Sequence, residues 1–252
     1  MSQVKAYAAL SNDADLIPHK IERRNTKEND VKIEIDFCGV CHSDIHQVRN
    51  DWKNSKYPVV PGHEIIGRVT EIGSKVTKFK VGDLVGVGCL VDSCKECNSC
   101  KEDLEQYCEN GAILTYNGKD KDLGGHTFGG YSEQVTVRED FVLKVPENID
   151  TKAAAPLLCA GITTWSPLRE WNVKKGDKVG VIGLGSMGST HLDIYSQISE
   201  VEVVAFADLK KSRLDGSSRV EGNISGQAQG SVVGLEAKKY LDGMDLINDP
   251  DI

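Results

Sequence analysis

At 252 residues the chain has room for one large or two ordinary domains. Its hydrophobic share of 39% and charged share of 27% are those of a globular protein, and no apolar run approaches the roughly 18–20 residues that cross a bilayer. A formal charge of −8 opposes a general nucleic-acid role, because phosphate contact needs a basic surface.

The opening stretch MSQVKAYAALSNDADL lacks an apolar h-region, so no signal peptide is expected and the cytoplasm is the expected location. Eight cysteines in such a compartment point to metal or catalysis before disulfides. VKIEIDFCG (31–39), EIIGRVTEIG (64–73) and YSEQVTVRED (131–140) alternate and carry β-branched residues, so each reads as a strand. Turns rich in Gly and Asp separate them, such as Val81-Gly82-Asp83, and the pattern predicts a small barrel-like fold. Residues 88–125 are polar, rich in cysteine and without period, a lobe expected to need a metal to hold its shape.

Composition changes near residue 150. TKAAAPLLCAGITTWSPLREW (151–171) reads as helix interrupted at Gly161 and Pro167. Lys178 to Ile182 is a buried-strand run, glycines follow, a helical pattern begins, and VEVVAFAD (201–208) is a second strand, which makes a β-α-β unit. Residues 215–234 show no period, and EAKKYLDGM (236–244) reads as a short helix. The chain is expected to stop where a third strand would be due.

Cys94, Cys97, Cys100 and Cys108 stand at spacing C-x2-C-x2-C-x7-C. Four thiolates close a tetrahedron around Zn²⁺ and leave no open position, so such a site is structural. An iron–sulfur cluster and a nucleic-acid zinc ribbon use similar spacings. The acidic residues between the cysteines, Glu96, Glu102, Asp103 and Glu105 among them, oppose the ribbon. A second set, Cys41, His63-Glu64 and Cys159, is dispersed. Two thiolates and one imidazole leave a fourth position free, which is the pattern of a catalytic zinc. Taken singly, a cysteine is more often a small buried hydrophobe and a histidine a structural group. Asp44 could accept the free ring N–H of His63 and fix its tautomer.

Gly183, Gly185 and Gly188 form G-x-G-x-x-G after a strand and before a helix, the context that makes this motif a dinucleotide site. Gly183 allows the tight turn, Gly185 the approach of pyrophosphate, and Gly188 close helix–strand packing. Asp208 ends the second strand, where an acidic side chain accepts from the ribose 2′-OH and favours NAD over NADP. Lys210, Lys211 and Arg213 follow directly and weaken that preference.

The segments CGVCHSDIH (38–46), YPVVPGHEIIG (57–67), DSCKECNSCKEDLEQYC (92–108) and KVGVIGLGSMG (178–188) resemble the zinc-dependent medium-chain alcohol dehydrogenases. The neighbourhood of Trp52 and APLLCAGITTW (155–165) resemble their cinnamyl-alcohol-dehydrogenase branch. The resemblance covers residues 1 to about 188. It implies a mixed α+β and α/β architecture: a GroES-like β-barrel catalytic domain over 1–150, then a partial dinucleotide-binding Rossmann fold over 151–252. It implies two zincs per chain, a catalytic one on Cys41, His63 and Cys159 with Glu64 beside it, and a structural one on the four-cysteine lobe. Ser43 and His46 occupy the family's proton-relay positions, and Trp52 falls near its substrate pocket. The implied reaction is hydride transfer between a primary alcohol or aldehyde, with aromatic ones included, and NAD(P).

From about Lys178 the sequence resembles instead the Rossmann domain of glucose–fructose oxidoreductase-type enzymes, cut short before its third strand. A six-stranded sheet is therefore not expected. The rival expectation is a protein that binds zinc and nucleotide but is impaired or inactive in turnover. A small-molecule alcohol or aldehyde is the expected partner, with no nucleic acid and no membrane; a homodimer is compatible with the sequence.

Overall fold

The computed structural model describes residues 1–185, 188, 189, 191, 192, 195, 202–217 and 235–252. They pack as two units, Met1–Pro167 and Leu168–Ile252.

In the first unit, β1 (Ser2–Ala8) and β2 (Ile17–Arg23) pair antiparallel. There follow β3 (Asp30–Cys38), helix α1 (His42–Arg49), β4 (Ile65–Ile72), β5 (Leu84–Val87) and β6 (Leu90–Asp92). After α2 (Asn98–Lys101) come β7 (Ile113–Leu114), β8 (Gln134–Arg138) and β9 (Leu143–Lys144). Five of these strands form one antiparallel sheet in the order β8-β3-β4-β5-β9, while β6 pairs with β7. The three strands expected from alternation are β3, β4 and β8, the middle of this sheet. Their inward residues explain why: Val31 lies opposite Val137 and Ile33 opposite Val135 and Val69, all buried together with Ile65, Val85 and Val87. Fully burying each such side chain is worth about 1.5–3 kcal/mol, enough to fix the register.

That register also positions chemistry. Cys38, the last residue of β3, pairs with Ile65, the first of β4, and Gly39 N–H continues the ladder to Glu64 C=O at 2.9 Å. The turn carrying Cys41 is thereby laid beside His63 and Glu64. Helix α3 (Thr151–Ala154) is capped by Asp150, whose carboxylate accepts from Lys152 N–H at 3.0 Å, and a 3₁₀ turn Ala155–Leu158 follows. Ala154, Ala155 and Leu158 pack on Ile66, Leu84 and Val145. The helical break does not fall at Gly161 or Pro167, which both lie inside α4 (Ala160–Glu170). It falls at Cys159, whose backbone (φ −127°, ψ −71°) leaves the helical region between the two segments.

The second unit holds β10 (Lys178–Ile182), β11 (Glu202–Ala207) and β12 (Lys238–Tyr240), parallel and in that order, the strand order of one mononucleotide-binding half. Phe206, fully buried, packs with Val181, Leu184, Leu192 and Leu214. The third strand corrects two expectations at once. Residues 236–244 are not a helix, and a third strand is present before the chain ends. Lys238–Tyr240 pairs with Ala205–Ala207, and Lys239 Nζ sits 5.5 Å from the centroid of the Phe206 ring. Sheet pairing outweighs the modest helix propensity of that segment. The helix begins later, at Gly243–Ile247, where Asp242 accepts from Met244 N–H at 2.8 Å. Gly188, Ser189, His191, Leu192 and Tyr195 are helical as expected; residues 186, 187, 190, 193, 194, 196–201 and 218–234 lie outside the described residues. Among the described residues no helix is long and apolar enough to cross a membrane.

Candidate metal centres and dinucleotide site

The sulfurs of Cys94, Cys97, Cys100 and Cys108 lie within 4.8 Å of one another. Cys94 Sγ and Cys100 Sγ are 3.9 Å apart, against about 3.8 Å for two thiolates on a tetrahedral zinc with 2.3 Å bonds. Backbone donors converge on the same sulfurs: Cys97 N–H on Cys94 Sγ (3.3 Å), Cys94 N–H on Cys108 Sγ (3.4 Å) and Glu109 N–H on Cys97 Sγ (3.4 Å). Donors aimed at sulfur stabilise thiolate over thiol. The N–H of Glu96, the Asn110 side chain and the N–H of Cys97 accordingly hold the Cys94 pKa down to about 6. The donor set fits a closed four-thiolate metal. Lys95 ties this lobe down, bonding Glu105 at 2.6 Å and lying 5.8 Å from the Phe141 ring centroid.

Cys41, His63, Glu64 and Cys159 form the second cluster, again with ligand atoms within 4.8 Å of one another. Cys41 Sγ and Cys159 Sγ are 3.9 Å apart, the separation a shared zinc requires. Buried Asp44 organises the set. Its Oδ2 accepts from Cys41 N–H at 2.9 Å, and its Oδ1 accepts from Gly62 N–H at 2.9 Å and from His63 Nδ1 at 3.0 Å. A carboxylate can only accept here, so Nδ1 carries the proton and Nε2 is left as the ligand atom. Burial disfavours a charged His63, but the hydrogen bond and charge of Asp44 outweigh it and raise its pKa.

Glu64 is 2% exposed, and its Oε2 has no hydrogen-bond partner. Burial pushes its pKa up. A Cβ on residue 39 would stand 2.0 Å from that oxygen, so Gly39 makes room for the carboxylate. One orphaned, buried carboxylate oxygen beside three metal-ligating atoms fits a site built for a cation.

Ser43 and His46 both lie on α1, yet they share no hydrogen bond. His46 Nδ1 bonds Asp51 Oδ2 at 2.7 Å instead. Asn50 ends α1 in the left-handed region (φ 59°, ψ 33°), and the returning Asp51 N–H bonds His46 C=O at 3.0 Å, which brings the Asp51 carboxylate to the ring. Trp52, half exposed, rests against His46 with ring centroids 5.6 Å apart.

Three residues near this cluster gave no signal in the sequence. Asp51 is one. Tyr116 is the second, its ring centroid 5.5 Å from that of His63. Cys89 is the third: its thiol is hydrogen-bonded to that of Cys159 and is part of neither ligand set. Only the fold brings the turn after β5 against the kink at 158–159, and no spacing rule encodes that approach.

In the second unit the glycine motif has the geometry its spacing predicts. Gly183 sits at φ +86°, and its N–H bonds Ala207 C=O at 2.8 Å. A Cβ on residue 188 would lie 1.7 Å from the Gly183 carbonyl oxygen, so only glycine fits there. Among the described residues nothing lies within 4 Å of a Cβ built on Gly185, which leaves the approach that a pyrophosphate would use. Asp208 is placed differently from expectation. Its Oδ2 accepts from Leu184 N–H (2.7 Å) and Arg213 Nη1 (3.2 Å), and its Oδ1 accepts from Lys210 N–H (2.8 Å).

The first unit thus carries one closed and one open thiol-based cluster on a mostly antiparallel β framework. Residues 27–147 match the family model of the alcohol dehydrogenase GroES-like domain. The chain is 53% identical over 212 residues to an NADP-dependent alcohol dehydrogenase C of Mycolicibacterium smegmatis, covering 84% of this chain and 60% of that relative. It is 50% identical over 212 residues to an aldehyde reductase of Escherichia coli, with the same coverage of 84% and 60%. Among solved structures, a cinnamyl alcohol dehydrogenase of Sorghum bicolor matches with TM-score 0.74 and 37% identity, over 98% of this chain and 65% of that one. The cinnamyl alcohol dehydrogenase of Helicobacter pylori, solved with NADP(H), matches with TM-score 0.73 and 40% identity, over 95% and 65%. The resemblance to zinc-dependent medium-chain alcohol dehydrogenases and their cinnamyl branch therefore holds. The chain spans about three fifths of the length of these curated relatives.

Proposed function

We propose that this chain is a zinc-dependent alcohol dehydrogenase or aldehyde reductase, acting on primary alcohols and their aldehydes, aromatic ones included, with a nicotinamide dinucleotide. One observation carries the reading: Cys41, His63 and Cys159 converge on a single point with the sulfurs 3.9 Å apart, while the remaining side is left to Glu64 and solvent. The names of the relatives support the substrate class.

Two zincs per chain are proposed, one in each thiol cluster. In the open cluster the ion, when bound, supplies Lewis acidity that acidifies an alcohol or polarises a carbonyl. The chain's own residues do the rest. Asp44 holds His63 in the tautomer that binds metal. Glu64, next to the ligands and with its Oε2 unpartnered, is the group that can exchange with substrate. Ser43 can both accept and donate the alcohol proton, and His46, oriented by Asp51, is the group that passes it to solvent. Since Ser43 and His46 are not hydrogen-bonded, that transfer needs a bridging water or a turn of the Ser43 side chain. Gly183, Gly185 and Gly188 seat the pyrophosphate. Functionally, residues 1–150 supply the barrel and 151–252 the nucleotide fold, with Cys159 reaching back to complete the metal set. Eight cysteines without a disulfide fit the cytoplasm.

The rival reading is a protein that binds zinc and nucleotide without turnover. The deciding experiment uses the whole chain at known zinc content, with aromatic and aliphatic aldehydes and both NADH and NADPH. The enzyme reading expects two zincs and turnover that Cys41→Ser abolishes while one zinc remains. Two zincs with no turnover on any aldehyde would favour the second reading. A chain that binds only one zinc would sink both.

A further inference from the structure

His42 and His46 belong to neither thiol cluster. They stand four residues apart on α1, so their side chains leave one face of the helix a turn from each other. Their ring centroids are 5.9 Å apart and the ring planes differ by 29°. An ion about 2.1 Å from a ring nitrogen lies about 3.2 Å from that ring's centroid, so two rings on one ion have centroids about 5 Å apart at the tetrahedral angle and about 6.4 Å apart at most. The observed separation falls inside that range. Two histidines at this spacing on one helix face are a metal-binding pair.

His46 is already oriented for coordination. Its Nδ1 donates to Asp51 Oδ2 at 2.7 Å, so the proton sits on Nδ1 and Nε2 offers its lone pair. Asp44 does the same for His63 in the open thiol cluster. Among the described residues His42 has no hydrogen-bond partner, which leaves its ring free to turn toward an ion. Solvent reaches the pair, since 33% of the His46 side chain is exposed. Among the described residues no third side chain completes a ligand set with the two rings, so water fills the shell. Such a site is far weaker than either thiol cluster and fills only after both, when free metal is raised.

We propose that His42 and His46 form a third, exposed metal site for divalent cations that favour imidazole, such as Ni²⁺, Cu²⁺ and Zn²⁺, and that an ion there withholds His46 Nε2 from proton transfer. The metal site stands on the geometry of α1 alone. Its effect on proton transfer rests on the role proposed for His46 above. Free metal would then slow the reaction at a place where it displaces neither zinc nor substrate.

The test titrates Ni²⁺ into the whole chain, with both thiol clusters loaded with zinc and excess metal removed. One Ni²⁺ should bind without release of zinc. Trp52, whose ring centroid is 5.6 Å from that of His46, is the reporter. Its fluorescence should be quenched, and Trp52→Phe should lose that quenching while still binding the ion. His42→Gln and His46→Gln should each weaken Ni²⁺ by about 100-fold, the loss of one of two linked ligands, and Asp51→Asn by about tenfold. Circular dichroism and thiol-bound zinc in these variants should match the parent, which separates a lost ligand from a lost fold. Unchanged Ni²⁺ affinity in both histidine variants, or Ni²⁺ that enters only by displacing zinc, would overturn the site. Ni²⁺ should also stop turnover of the parent at the concentrations that quench Trp52, and spare His42→Gln there. Binding without inhibition would overturn the effect on proton transfer and leave the metal site standing. A chain without turnover would refute the proposed function and that effect with it, while the titration decides the metal site by itself.

Discussion

The two thiol clusters hold metal-ligand atoms at the same spacing but are built on different scales. The closed one draws four sulfurs from residues 94–108, and the N–H groups that stabilise them come from the same stretch. The open one draws on a turn after β3, the residues before β4, and a kink far along the chain at Cys159. The first is a local knot that needs little beyond its own loop. The second exists only once β3 and β4 are in register and the 3₁₀ turn before Cys159 has docked on Ile66 and Leu84. A site that must leave a position vacant has fewer ligands to define it, so the fold has to supply the rigidity that a fourth thiolate would have given.

Substitutions can break or sharpen this contrast. The largest effect is expected from Cys100→Ser in the closed cluster. Structural zinc sites of this kind contribute folding energy on the order of 10 kcal/mol, so residues 93–110 should become protease-sensitive and one zinc should be lost. If the clusters are as independent as their construction implies, the zinc on Cys41, His63 and Cys159 stays, as metal analysis would show. Next comes Cys41→Ser, expected to lower turnover by about a thousandfold or more through loss of the metal's charge stabilisation. Zinc content should fall from two to one and the lobe should remain protease-resistant; loss of both zincs would show the scales to be coupled. Asp44→Ala is smaller. It removes the acceptor shared by two ligand segments and should weaken zinc at the open cluster by about 10- to 100-fold in a chelator competition, with no change at the closed one. Smallest is Asp51→Asn, which keeps the shape beside His46 but removes the charge. It should change turnover by only about a few fold and leave the zinc content unchanged, because it acts on proton transfer rather than on metal.

The same difference in scale decided what the sequence could reveal. The four-cysteine spacing announced its site without help, and β3, β4 and β8 were legible because alternation in Val31, Ile33 and Val135 reflects one buried face. The glycine motif was legible for the same local reason: Gly188 is required by a carbonyl five residues before it. Cys159 could be suspected only through family resemblance, since nothing near it in sequence marks a ligand. Asp51 and Cys89 were invisible, one reaching His46 through a left-handed residue at Asn50 and the other meeting Cys159 across a packed interface. Strand β12 was missed because its pairing with Ala205–Ala207 is a property of the sheet, not of the segment. Asp208 was correctly placed at a strand end, but its partners depend on where Arg213 and Leu184 N–H fall in space.

Asp44 joins an amide at the start of α1 to an amide just ahead of β4, and both to the ring of His63. The protons on Cys41 N and Gly62 N are therefore shielded by one and the same carboxylate. In a hydrogen–deuterium exchange experiment these two amides, in separate peptides, should open together and slow together when zinc is added. Their common rate would report occupancy of the open cluster without substrate, cofactor or any catalytic event.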